Sequence, residues 1–178
     1  VLEIPNDDFN MTTSRFSEAV SAFDETTYYW DDLAIGFTYE TATRTITETD
    51  VVAFAAFSAD YNLLHVDAEY AKASPFGQRI AHGMLVASIV AGLNTRTVVN
   101  AMLAPSLLGL LEVKATFPKP TFIGDTIGVK IEIADLKPTS KPDRGLIRFA
   151  RSAINQRGET ACICDVLMLM KRRPGAAG

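Results

Sequence analysis

The sequence is poor in the residues that usually carry metal and redox chemistry. Among 178 residues there are two cysteines, two histidines and one tryptophan. With two histidines and no Cys-x-x-Cys pair, a transition-metal site lacks its usual ligand set, so no metal is expected. Cys162 and Cys164 lie two apart in an apolar run. On a strand they share one face at about 7 Å, awkward for a disulfide. They read as reduced core thiols, consistent with a cytoplasmic protein. No uninterrupted apolar run reaches about 18 residues, so no membrane span is expected. The opening VLEIPNDDF has no basic segment leading into an apolar one, so no secretory signal is visible. Gly-x-Gly-x-x-Gly, the P-loop, Gly-x-Ser-x-Gly and His-Glu-x-x-His are all absent. Nucleotide loops, the hydrolase elbow and zinc peptidase helices are thereby excluded. No nicotinamide, flavin or other cofactor is indicated.

What is present describes an ordinary soluble domain, 48% apolar and 21% charged. The net charge of −4 is unevenly spread. Residues 1–37 carry eight acids and one base, and residues 114–178 carry twelve bases and six acids. That balance is too mild and interspersed for a nucleic-acid binder. It suits either a small anionic ligand or simply solvated strand faces.

Residues 1–30 form an acidic, poorly periodic extension, in which Asp7, Asp8, Ser14 and Ser17 fit a capped short helix or a loose segment. The main domain is expected over 31–171, with 172–178 as a solvated tail. A strand is expected at Thr38–Ile46. Thr47 with Asp50 has the spacing of a capping box and opens a helix through VVAFAAF. That helix ends where Asp60 and Asn62 offer turn chemistry. A short helix at Ala68–Ala73 stops at Ser74-Pro75, and Gly77 marks a turn. From Gly83 to about Asn100 the chain is apolar nearly all round, the mark of a buried helix. After Pro105, period-2 alternation begins at Leu111–Phe117 and returns at 127–133, 146–154 and 161–170. Arg157-Gly158 makes the last turn. One buried helix followed by consecutive antiparallel strands gives an α+β domain of two layers.

Both histidines fall in one short region. His65 lies in Asp60-Tyr61-Asn62-Leu63-Leu64-His65-Val66-Asp67, and His82 directly precedes Gly83. On a continuous helix Asp60 and His65 would stand about 140° apart. A non-helical hook would let them converge, and a facing carboxylate and imidazole can hold and activate one water. Gly83, at a helix start, would offer an outward N–H that a ligand oxygen can approach closely. Such a donor stabilises an oxyanion or enolate. Read singly, each of these residues is more simply a turn former, a buried imidazole or a plain helix-start glycine; together they are less easily explained that way.

The segment Ser58–Leu93 resembles the signature of the MaoC-like, (R)-specific enoyl-CoA hydratases. The residues that carry it are Asp60-x-Asn62-x-x-His65-x-Asp67, then fourteen residues, then His82-Gly83-Met84-Leu85. Phe117-Pro118-Lys119-Pro120 and Phe122-Ile123-Gly124-Asp125 resemble the strand-turn that follows the family's central helix. The resemblance implies a hot-dog fold, a long helix wrapped by an antiparallel sheet. It also implies reversible syn hydration of a trans-2-enoyl-CoA to the (3R)-hydroxyacyl-CoA. Asp60 and His65 would be catalytic, Gly83 would form the oxyanion hole, and Asn62, His82 and Ser88 would contact substrate, with Asn62 alternatively orienting the pair or bracing the hook. The acyl-CoA would lie along the interface of a homodimer or a dimer assembly, with basic residues after Lys114 available for its phosphates. Two positions depart from the family pattern: Leu63 stands where proline is common, and Ala91 where some members carry serine. The competing reading is a hot-dog thioesterase using the same helix start. A catalytically silent acyl-binding subunit fits less well, because Asp60, His65 and Gly83 are all retained.

Overall fold

The computed structural model describes residues 15–175. Asp7, Asp8 and Ser14 lie outside them, so the expected capped helix is seen only as α1 (Arg15–Glu25). Two short strands follow, β1 (Thr38–Glu40) and β2 (Arg44–Thr45), both paired with a later strand. The single strand expected at Thr38–Ile46 is therefore split. The break comes at a tertiary contact: the Thr41 hydroxyl accepts the Val129 N–H at 3.0 Å, so a side chain replaces the main chain in the ladder and the strand detours.

Thr47 begins α2 (Glu48–Ser58) through a capping box. Its hydroxyl accepts the Asp50 N–H, and the Asp50 carboxylate accepts the Thr47 N–H at 2.8 Å. Ala59, in the left-handed region at φ 58°, ends the helix. A one-turn helix α3 (Leu63–Val66) and α4 (Ala68–Ala73) come next. Asn62 caps α3, and Asp67 caps α4 by accepting the Tyr70 N–H at 2.9 Å.

The buried helix α5 runs Gly83–Thr95, shorter than the span expected to about Asn100. Thr97 leaves the helical region and caps α6 (Val98–Leu103), accepting the Asn100 N–H at 3.1 Å. The two helices meet at a 74° bend. Among the described residues no single helix is long and apolar enough to cross a membrane.

The chain then lays down β3 (Leu107–Thr116), β4 (Thr126–Pro138), β5 (Arg144–Asn155) and β6 (Thr160–Lys171). All pairings are antiparallel, in the order β1-β4-β5-β6-β3, with β2 also on β4. On β4, Ile127, Val129, Ile131 and Ile133 alternate inward and meet Val86, Val90 and Leu93 of α5 in one core. Gly158, at φ 77°, makes the β5–β6 turn as expected. Cys162 and Cys164 are buried and free, and burial pushes the Cys162 thiol up to about 12.

Both expected domain limits move outward. Tyr28 and Trp30 pack on the core, and the Trp30 indole donates to the Leu146 carbonyl at 2.9 Å. Arg172 is no solvated tail residue: it donates twice to Asp31 and lies over the Trp30 ring at 5.2 Å. Arg173 pairs with Asp32.

Candidate active site

The hook between α2 and α3 is built from side chains satisfying its own backbone. The Ser58 hydroxyl accepts the Asp60 N–H at 3.2 Å, and Asp60 Oδ1 accepts the Asn62 N–H at 3.2 Å. Asn62 Oδ1 accepts the Leu64 N–H at 3.1 Å. Asp60 thus stays outside any helix while His65 sits inside the one-turn α3. The hook is partly helical, and the left-handed Ala59 re-aims the chain ahead of Asp60.

The turn brings Asp60, His65 and His82 together, with one donor atom of each within 4.8 Å of the others. Among the described residues they are the one such group of His, Cys, Asp and Glu. The two imidazoles stack at 3.8 Å between centroids, tilted by 29°. A carbonyl can only accept, so each short ring contact fixes a proton. His65 Nδ1–H donates to the Ile80 carbonyl at 2.8 Å, which leaves Nε2 of the neutral ring as an acceptor. His82 Nε2–H donates to the Asp60 carbonyl at 3.0 Å. His82 Nδ1 is buried without a partner. One nitrogen of each ring is therefore committed to the backbone. A metal could reach only the outer nitrogen of His65, the buried one of His82 and the Asp60 carboxylate.

His65 and Gly83 line one cavity of about 390 Å³, with Phe76, Ile80, Phe117 and Lys119. Gly83 is the first residue of a 13-residue helix whose preceding His82 makes no side-chain capping bond. Its N–H has no carbonyl within the helix to reach. A side chain at Gly83 would meet the Phe117 ring at 3.0 Å, so the ring would have to give by a few tenths of an ångström to admit it. The Ala81 N–H donates to the Thr121 carbonyl at 2.8 Å and ties this approach to the segment after β3.

Asp125, in the second resembling segment, is a brace. It is 3% exposed and accepts from the Phe122 N–H, Gln156 and Arg157. Burial pushes its carboxyl up, but these hydrogen bonds and the Arg157 charge together hold it below the usual carboxylate range.

Three of the expected substrate contacts are placed differently. His82 is 2% exposed and stands behind His65, against Phe54, holding the Asp60 backbone. Asn62 spends its side-chain oxygen on the α3 cap. Ser88 donates to the Met84 carbonyl one turn back at 2.8 Å and borders a different cavity, with Arg44 and Arg96. It lies two residues from Val86, about 200° round the helix, and so faces away from the His65 side. Sequence reading assigned no role to the Ile80 carbonyl or the Phe117 ring. Phe117 stands in a quoted motif, whereas Ile80 acts through its backbone, which no residue type announces.

Comparison with known proteins places the chain in a family. The family model described as MaoC like domain matches residues 32–147. The chain belongs to the MaoC-like dehydratase family. It is 32% identical over 142 residues to a 3-hydroxybutyryl-CoA dehydratase of Methylorubrum extorquens, covering 78% of this chain and 74% of that protein. It is 34% identical over 126 residues to an (R)-specific enoyl-CoA hydratase of Rhodospirillum rubrum, covering 68% and 81%. A solved structure described as a monoamine oxidase regulatory protein of an Archaeoglobus superposes with a TM-score of 0.77 at 34% identity, covering 84% of this chain and 98% of that one. The helix against one antiparallel sheet is the hot-dog fold. This MaoC-like dehydratase domain is accordingly a hydratase or dehydratase by family.

Proposed function

We propose that the chain reversibly hydrates a trans-2-enoyl-CoA, by syn addition, to the (3R)-hydroxyacyl-CoA. The observation that carries this reading is the meeting of Asp60 and His65 beside a cavity that reaches Gly83. Relatives named as an (R)-specific enoyl-CoA hydratase and a 3-hydroxybutyryl-CoA dehydratase support the reaction class. In this mechanism the thioester carbonyl accepts the Gly83 N–H. Charge that builds on that oxygen as the enolate forms is stabilised there, a donor of this kind being worth about 3–4 kcal/mol. The Asp60 carboxylate and His65 Nε2 are both acceptors, so one water donates a hydrogen to each. Its oxygen bonds to C3 as a proton passes to the pair. The same pair returns a proton to C2, so both additions take place on one face. His82 positions Asp60 through the backbone, and Lys119 at the cavity offers charge to a phosphate of the coenzyme. Arg157, Arg172 and Arg173 are engaged in ion pairs within the fold and leave that task to others.

The test is loss of the conjugated double bond of but-2-enoyl-CoA, with chiral analysis of the product. Hydration to the (3R) alcohol, unaffected by a chelator, is expected. Exclusive (3S) product, or activity abolished by the chelator, overturns the mechanism. Release of free thiol without hydration makes the protein a thioesterase.

A further inference from the structure

Arg151 lies where an apolar residue belongs. It sits on β5, in register with Ile131 of β4 and Cys164 of β6, and both neighbours point into the core. One step along the strands in either direction stand Ala153 and Phe149, also buried. Arg151 itself is 4% exposed. Its Nε is buried without a partner, and among the described residues no hydrogen bond or ion pair reaches its guanidinium. The Phe149 ring at 5.5 Å is its cation–π neighbour. Residues one step away on this face are Val129, Ile133, Cys162 and Val166, none of them an acid. The one polar pair nearby is self-contained: the Tyr39 hydroxyl donates to Asn94 Oδ1 at 2.8 Å.

A buried cation without an acceptor is among the costlier arrangements in a fold, because it loses hydration that one cation–π contact only partly replaces. Desolvation accordingly pulls the Arg151 guanidinium down from its usual range. An anion would supply the acceptor, and a guanidinium matches a carboxylate through paired N–H donors. The register also places Arg151 relative to the catalytic end. Its row continues through Cys164 to Ala115 of β3, and two residues beyond Ala115 is Phe117, whose ring meets Gly83. Arg151 is therefore about 7 Å along the strands and roughly 10 Å across two strand spacings from that end, on the face that α5 covers.

We propose that Arg151 is a specificity residue that binds a carboxylate at the far end of the acyl group, so that the substrate is the CoA thioester of an unsaturated dicarboxylic acid. This rests on the hydratase reading above and names its substrate class. A site built to pair a charged group rejects the analogue that lacks it, because its own charge is then left buried and unpaired.

The experiment measures kcat/KM for matched trans-2-enoyl-CoA thioesters of five to eight carbons, ending in a methyl or in a carboxylate. At one length or more the carboxylate form is expected to be favoured by at least ~10-fold, and Arg151→Met should lower that ratio by at least ~10²-fold. Preference for the methyl form at every length, or an unchanged ratio in the variant, overturns the proposal. A second arm needs neither turnover nor the variant's stability. Melting temperature of the wild-type protein is followed with adipate, with 1-hexanol as the chain without a carboxylate, and with sodium chloride at the ionic strength of the adipate. A rise with adipate alone supports the subsite. An equal rise with chloride assigns Arg151 to a free inorganic anion and overturns the substrate proposal, as does no rise at all. If the methyl forms are hydrated and the carboxylate forms are not, this proposal fails and the hydratase reading stands. If no thioester is hydrated, the hydratase reading fails and the melting arm still decides whether Arg151 binds a carboxylate.

Discussion

Asp60 and His65 bind one water in the proposed mechanism, so their contributions are coupled. Asp60→Asn and His65→Gln are each expected to lower kcat by at least ~10²-fold, and the double variant should fall far short of the product of the two losses. Steady-state kinetics of the three variants checks this, and fully multiplicative losses would separate the two residues into independent roles. Gly83 is constrained differently. In Gly83→Ala the new methyl meets the Phe117 ring at 3.0 Å, and the ring must move at the wall of the cavity. An expected drop in kcat/KM of at least ~10-fold follows, since small misplacements at a reacting centre are costly. An unchanged kcat/KM in this variant would detach the helix start from the chemistry.

At the scale of elements, two clamps close the sheet. One joins the segment before β1 to the chain ends of β5 and β6: Trp30 lies so close to Gly145 that a methyl there would come within 2.5 Å of the indole. Gly145→Ala should therefore cost about 1–3 kcal/mol in the wild-type background and much less in Trp30→Ala, where the ring is gone. Chemical denaturation of the four proteins of that cycle measures the coupling. The other clamp is Asp125, which holds the turn before β4 to the β5–β6 turn through Gln156 and Arg157. Its carboxyl titrates below the ordinary range in the folded protein, so its stabilisation is present above the unfolded value of about 3.9 and is lost as pH falls through the lower folded value. Melting temperatures of wild type and Asp125→Asn should differ near neutral pH and converge as pH falls through the lowered folded value.

For the whole molecule the decisive feature is the free edge at β3. This strand ends the sheet order, and Leu110 is 58% exposed, with Leu108, Leu111 and Val113 also exposed. Apolar residues on an unpaired edge invite a second strand, and a two-fold pairing of β3 with its own copy satisfies both edges at once. We expect a homodimer or a dimer of dimers. Light scattering at low micromolar concentration should give at least twice the chain mass, and Leu110→Lys with Val113→Lys should halve it. A wild-type monomer with full activity would contradict the pairing.

Local chemistry was readable from neighbouring residues. The Thr47–Asp50 box, the stop at Ser74-Pro75, the alternation of β4 and the turn at Gly158 each depend on residues a few positions apart, and each stands where the pattern placed it. The hydratase resemblance likewise rested on residues close in sequence, within Ser58–Leu93 and again within Phe117–Asp125. Failures occurred where a distant partner overrode a local preference. Val129 reaches the Thr41 hydroxyl and splits a strand whose composition is uniformly strand-like. Thr97 caps a new helix where the chain turns by 74°, and the Asn94-Thr95-Arg96 run before it contains no glycine or proline to mark the stop. His82 became a buried support, and Ser88 turned away from the cavity, because helix facing is decided by what packs on α5. Arg151 looked like one more base in a basic half of the chain. Only the register of three strands put it among Ile131, Cys164 and Phe149, since a side chain's dielectric surroundings belong to the residues that folding brings near it and not to those beside it in sequence.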